Sequence, residues 1–401
     1  MRDLTSALRD NSVWDERQLS EAPAPKTTNM LRAFAERTKA EDAAAGPIVA
    51  RLIAAPAMIQ LHPEWRTAGV VRKLLAVVDE KNYSEPKVAA EIAALAVEVA
   101  ESIEPGLYPF DTVMKLRALA WRERAYALYF IGSFADSLDA LDHTDQLLTK
   151  CAVSAYEAAN AAVTRAHVYG EMERLGEAIS LADSAAEVFR SFGDQARECV
   201  AGFTKANLLV QARRFSEALP IYESINSDSR IVESTRALAL YHAALCYREL
   251  SRFERAKALF AEALTRFERS GVPSLRAKAL WSLGSVFALE HRHNDALALF
   301  AQARQEFEEL AMAQDLALAS VDTAESLLML GRREEVITLC HEAMEYFAKA
   351  GLAYTQGALT ALAYLKEAAD TQTLTRTAFG EVRAFFQMLP KRPELLFAYS
   401  A

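Results

Sequence analysis

The sequence predicts an all-α chain of stacked helical hairpins, on three observations: a step of about 40 residues, small residues at fixed places within each step, and chain breakers between steps. Phe134, Leu175, Phe215, Phe253, His293 and Arg333 mark the turn between two helices, at separations of 41, 40, 38, 40 and 40 residues. Nine positions before each marker stands a small residue: Ala125, Ala166, Ala206, Ala244, Gly284 or Ala324. Six before it comes a large one: Leu128, Tyr169, Leu209, Tyr247, Phe287 or Leu327. Ser137, Ala178, Ala218, Ala256, Ala296 and Val336 follow three positions after it, and Thr144, Ala185, Ile225, Ala263, Ala303 and Ala343 ten after. Small residues on two antiparallel helices let their backbones approach, and a large neighbour fills the adjacent groove. Each hairpin leaves an apolar face that the next must cover, so the units stack.

The order large (Trp121, Leu240, Leu280), small (Ala244, Gly284), aromatic (Tyr247, Phe287), small (Ala256, Ala296), aromatic (Phe260, Phe300), alanine (Ala263, Ala303) resembles the tetratricopeptide repeat over about residues 112 to 350. Arg124 and Lys205 replace expected apolar residues, and the step exceeds the family's of about 34 residues. In this it is similar to the tetratricopeptide-like sensor domains of bacterial regulators and peptide-pheromone receptors. The resemblance implies a right-handed α-solenoid with helical caps at both ends.

Taken in order, residues 1–28 read as a flexible extension with at most a short helix from Leu4 to Arg9, ending in Glu21-Ala22-Pro23-Ala24-Pro25. Residues 29–110 read as a helical N-terminal cap. Its first helix, capped by Thr28 or Asn29, closes at Gly46-Pro47. The second, Ile48 to Leu61, is interrupted at Pro56. A degenerate hairpin follows, Trp65 to Glu80 and Pro86 to Ile103, with Ser84 as the cap of its second helix. Glu104-Pro105-Gly106-Leu107-Tyr108-Pro109 breaks the chain before residues 111–350, six hairpins separated by Phe192-Gly193-Asp194, Asn226-Ser227-Asp228-Ser229, Ser270-Gly271-Val272-Pro273 and Ala350-Gly351. In the third hairpin Ser229 stands where others carry Leu148, Phe189, Phe267, Phe307 or Phe347, which shortens its second helix and suggests a joint. Residues 351–401 form a C-terminal cap: a helix to about Ala369, another from Thr375 to Leu389, and an apolar tail (Leu395, Leu396, Phe397, Tyr399) that folds back.

Composition narrows the function. The hydrophobic fraction is 52%, yet it is spread over alanine packing positions without the long apolar run of a membrane helix. Residues 1 to 20 lack the apolar block of a secretory signal. Cys151, Cys199, Cys246 and Cys340 lie far apart without a CxxC pair and read as reduced thiols of a cytoplasmic protein. A net charge of −9 opposes direct nucleic-acid binding, which needs a concentrated basic face. No phosphate-binding loop, dinucleotide fingerprint, HExxH or GxSxG sequence occurs, so neither enzymatic activity nor a cofactor is expected. His291-Arg292-His293-Asn294-Asp295 has metal-like composition, but its place at an inter-helix turn favours Asn294 and Asp295 as helix caps.

If first helices line the concave side, as the resemblance implies, the residues 12, 11, 8 and 5 before each marker point into it. The candidates so placed are Arg122 and Tyr126; His167; Phe203 and Asn207; Tyr241, His242 and Arg248; Trp281 and Ser285; Asp322 and Glu325. Aromatic, arginine and amide side chains suit an extended peptide or partner helix. The alternative for Phe203, Tyr241 and Trp281 is that they pack on one another along the inner wall. The expected function is a non-catalytic scaffold holding a peptide or partner protein in a groove, with homodimerisation left open. The other reading is a peptide- or ligand-sensing regulator of a transcription factor or other effector.

Overall fold

A computed structural model describes residues 25–389 and 392–398, with eighteen α-helices and no β-strand among the described residues. The expected extension of residues 1–28 lies almost wholly outside them. The chain forms two compact units, Met1–Arg214 and Phe215–Ala401, divided at the inter-helix turn of the third hairpin.

In the first unit, α1 (Pro25–Ala54), α2 (Met58–Leu61) and a 3-10 turn (Pro63–Trp65) precede the hairpin α3 (Ala68–Lys81) and α4 (Pro86–Glu101). Two expectations fail in α1. It starts ahead of Thr28 and Asn29, and it runs through Gly46-Pro47 without ending. Ala43, four residues before the proline, is exposed, so water can satisfy the carbonyl that Pro47 leaves free, while Ala45, Val49 and Leu52 are buried on the other side. The break comes after Ala54, ahead of Pro56. Thr67, not Trp65, opens α3, accepting from the Val70 amide at 3.3 Å. Glu85 rather than Ser84 is the N-cap of α4.

Then come α5 (Phe110–Phe130) with α6 (Phe134–Leu148), α7 (Ala155–Glu171) with α8 (Leu175–Ser191), and α9 (Gln195–Gln211). The cap and the first hairpin share one core, in which Leu74, Val97, Ala118 and Leu148 belong to the same cluster. The second unit holds α10 (Phe215–Ser227), α11 (Glu233–Glu249) with α12 (Phe253–Ser270), α13 (Pro273–Leu289) with α14 (His293–Glu309), α15 (Ala313–Met329) with α16 (Arg333–Ala350), then α17 (Thr355–Asp370) and α18 (Arg376–Met388). Helix α10 stops at Ser227, short of the apolar position that Ser229 vacates.

Every turn marker is the first residue of a second helix. The residue two before it, Gly132, Glu173, Arg213, Ser251, His291 or Gly331, is left-handed with φ between 57° and 77°. The next amide donates to the carbonyl five residues back at 2.8–3.0 Å, from Ser133 to Leu128 through Arg332 to Leu327. This is the Schellman closure, which satisfies one of the carbonyls that a helix end leaves over. Five of the six residues donating that amide are arginines, and three guanidiniums lie over the large residue at the accepting carbonyl: Arg174 over Tyr169 at 3.7 Å, Arg292 over Phe287 at 4.5 Å and Arg252 over Tyr247 at 6.0 Å. The small positions nine before and three after each marker are all buried. At Gly284 an added Cβ would stand 2.7 Å from the Phe300 ring, so any larger residue there would force that buried ring to shift.

In the second unit α18 packs more extensively on α15 than on α17. Thr375 caps it, accepting from the Ala378 amide at 3.3 Å. Phe379, Val382, Phe386 and Leu389 are buried. The tail returns as expected for Leu395 and Phe397: the Phe397 amide donates to Thr360 Oγ1 at 2.9 Å and its ring meets Tyr364 and Phe385 at 5.2 Å each. Leu396 is exposed, and Tyr399 lies outside the described residues. Asn294 and Asp295 are inside the first turn of α14 rather than capping it; Asp295 instead accepts from Arg292 Nε at 2.8 Å.

Candidate functional site

The first helices of the first unit, α5, α7 and α9, set their inner registers side by side. Helical periodicity puts Arg122, Tyr126 and Tyr129 along one stripe of α5 and Asn160, Thr164 and His167 along the facing stripe of α7. Between them lies a small open cleft with room for about one water, lined by Arg122, Glu123, Tyr126, Asn160, Val163, Thr164 and His167. Three of the sequence candidates, Arg122, Tyr126 and His167, thus meet at one place.

One end of the cleft is polar. Glu123, Asn160, Asp194 and Arg197 are all buried, and Arg122 pairs with Glu123. Arg197 donates through Nη1 to Asn160 Oδ1, while Asn160 Nδ2 donates to the Tyr156 carbonyl at 3.0 Å. Tyr156 donates its hydroxyl to Asp194 Oδ2 at 2.6 Å, and Asp194 Oδ1 accepts the Arg197 amide at 3.1 Å as the N-cap of α9. Burial, reinforced by the charge of Arg122, pulls the Arg197 pKa down. The other end is aromatic. Tyr126 meets Phe130 edge-on at 5.0 Å and His167 at 6.3 Å, and Tyr83 sets its hydroxyl 3.4 Å from that of Tyr126. Burial pushes the His167 imidazole down to about 4 against the opposing charge of Glu171, so it is neutral near pH 7. Burial also pushes the Tyr129 phenol up to about 12.

The remaining candidates stand apart from this cleft. Phe203 is buried and Asn207 exposed, both on α9. In the second unit, Tyr241 is buried, its ring edge-on to Phe260 at 5.8 Å and its hydroxyl 3.0 Å from Ser282 Oγ. His242 stacks on Tyr222 at 5.2 Å; burial, with Lys278 adding to it, pushes its pKa down to about 4. Arg248 pairs with Glu249, and Ser285 donates to the Trp281 carbonyl at 3.1 Å. Trp281 meets Phe307 edge-on and donates to Asp322 Oδ2 at 2.7 Å. Asp322 and Glu325 accept from Arg383 of α18 at 2.7 and 2.8 Å. These inner registers of α15 therefore hold the chain's own last helix.

Sequence reasoning missed Asn160, Tyr156, Asp194, Arg197 and Arg383. Asn160 lies one helical turn before Thr164, so extending the inner stripe by four residues would have reached it. Arg383 had no such signal, because its partners come from a helix about sixty residues away.

The family profile described as tetratricopeptide repeat matches residues 235–309, so the fourth and fifth hairpins are repeats of that kind. No curated protein matches the sequence. Among solved structures, the apo quorum sensor NprR from B. thuringiensis is 14% identical with a TM-score of 0.52, covering 84% of this chain and 99% of that one. A Rap protein complexed with competence and sporulation factor is 14% identical at a TM-score of 0.50, covering 84% and 98%. A signal-transduction ATPase with numerous domains and a tetratricopeptide-repeat sensor, from Pyrococcus horikoshii, is 14% identical at 0.54, covering 79% of this chain and 52% of that one. At these identities the likeness establishes an all-α, tetratricopeptide-like fold of stacked hairpins.

Proposed function

We propose that this chain is a non-catalytic, cytoplasmic binding protein that takes a peptide or a partner-protein segment on the first-helix face of its first unit. The observation that carries the reading is the cleft between α5 and α7, where Arg122, Tyr126 and His167 converge with buried Asn160 and Thr164. Rings supply contact area at low entropic cost, and fixed polar groups supply orientation. The structural relatives include a Rap protein complexed with competence and sporulation factor and a quorum sensor, which supports recognition by this kind of fold. No helix among the described residues is long and apolar enough to cross a membrane.

Affinity capture from native cytosol, with wild type beside Arg122→Ala/Tyr126→Ala, tests this once equal thermal stability of the two is verified. A partner retained by wild type and lost by the variant is the expected result; equal retention would move binding off this face. A second reading, a sensor that changes conformation on binding and so controls an effector, is favoured by the sensor roles of two relatives. X-ray scattering with the captured partner's peptide decides it, since superimposable profiles with and without saturating peptide would leave a passive scaffold.

A further inference from the structure

The last helix of the second unit does not close a hairpin. In the pairs α11 with α12, α13 with α14 and α15 with α16, each second helix lies on its own first helix, whereas α18 leaves α17 and lies mainly on α15. It is amphipathic: Phe379, Val382 and Phe386 are buried in the core supplied by α15, α16 and α17, while Gly380, Ala384 and Gln387 are exposed. Arg383 stands between the two phenylalanines and donates through Nη2 to Asp322 Oδ1 at 2.7 Å and to Glu325 Oε2 at 2.8 Å. Arg376, two turns earlier on the same stripe, reaches Glu325 Oε1 through Nε at 3.3 Å. Trp281 of α13 donates to Asp322 Oδ2 at 2.7 Å, which leaves Oδ1 to α18. Trp281, Asp322 and Glu325, at registers where the repeat pattern predicts a partner, meet a helix of this chain instead.

We propose that this face of α13 and α15 is a receptor groove for an amphipathic helix that carries an arginine between aromatic residues, and that α18 keeps it closed as an intramolecular ligand. The groove lies in the second unit and stands whether or not a segment binds the first. Two carboxylates one helical turn apart, with an indole fixing one of them, select a guanidinium fork. Phe379 and Phe386, four residues before Arg383 and three after it, supply the contact area. A partner helix of the same pattern replaces each contact that α18 gives up, so the groove opens by exchange and not against solvent. The partner's apparent affinity is lowered by the small fraction of chains in which α18 is away. Weakening α18 therefore strengthens the partner's helix by the same factor.

The test uses the full chain and a fluorescent, isotope-labelled peptide with the sequence of residues 374–389. Anisotropy gives the peptide's affinity, and amide exchange across Arg376–Met388 of the chain gives the opening of its own helix. The peptide is expected to bind the Arg383→Ala chain about tenfold to a hundredfold more tightly than wild type, in step with the rise in exchange. Saturating peptide is expected to raise exchange in that chain's own α18 further. A peptide carrying Arg383→Gln is expected to bind at least about tenfold more weakly, because it lacks the charged fork. Equal affinity for the two chains, binding that leaves exchange in α18 unchanged, equal binding of the Arg383→Gln peptide, or no binding by the Arg383→Ala chain would each overturn the proposal. If the Arg383→Ala chain is unfolded at the assay temperature, Arg383→Lys, which keeps the charge but not the fork, is judged by the same outcomes.

Discussion

Four of the six turns between paired helices place a residue other than glycine in the left-handed region: Glu173, Arg213, Ser251 and His291. The Cβ there costs about 1–2 kcal/mol, whereas glycine adopts the region freely but loses more freedom on folding. Ser251→Gly and Glu173→Gly are therefore expected to stabilise by about 0.5–1 kcal/mol each, seen as a higher urea midpoint at unchanged slope. The opposite sign is expected at Gly284, where Gly284→Ala drives a methyl into the Phe300 ring and costs about 1–3 kcal/mol. Gly380→Ala, on an exposed position of α18 with open space around it, serves as the control and gains up to about 1 kcal/mol. The half-buried imidazoles of His167 and His242 give a pH prediction. His167 and His242 have folded pKa values near 4, below the ordinary 6.5, so the stability they contribute is complete above about pH 6.5 and is lost as the pH falls toward 4. A melting temperature that falls by a few degrees between pH 7 and pH 5, less so in the His167→Gln/His242→Gln variant, is the expected outcome.

Among the elements, α18 has two kinds of hold. Phe379, Val382 and Phe386 are buried in the core it shares with α15 to α17, and Arg383 spans Asp322 and Glu325 while Trp281 braces Asp322 from the other side. The apolar hold is the larger, because each buried phenylalanine contributes about 1.5–3 kcal/mol, so losing the ion pair alone should loosen the helix without releasing it. Arg383→Ala is expected to raise amide exchange across Arg376–Met388 about tenfold to a hundredfold, corresponding to about 1.4–3 kcal/mol, and to leave exchange in α5 to α9 unchanged. Unchanged exchange in α18 would mean that the cluster is a surface pair of no consequence. Helix α1 shows why breaker residues misled the sequence reading there: Pro47 faces water, where the lost hydrogen bond is replaced, and burial of Ala45, Val49 and Leu52 decides the issue.

For the molecule as a whole, the hairpin order was legible because its determinants are local and repeated. Small residues at two registers and a large one at a third set each helix crossing, and the six markers fall at the starts of six second helices. The candidate site was legible only in part. Periodicity brought Arg122, Tyr126 and His167 to one face, but it could not tell an inner residue that faces a cleft from one that another element covers. Tyr241 lies against Phe260, and Asp322 lies under Arg383, for reasons of tertiary packing that no spacing encodes. The buried Asn160–Arg197 pair likewise joins two helices, and its partners are 37 residues apart.

Site-specific photo-crosslinking in native cytosol, with a photoreactive phenylalanine placed in turn at Tyr126, on the cleft, and at Asp139, exposed on α6, shows whether a partner sits on the first-helix face. One saturable adduct from position 126, competed by unlabelled wild-type chain and absent from position 139, is the expected result. The same adduct from both positions, or an adduct from position 139 alone, would contradict it.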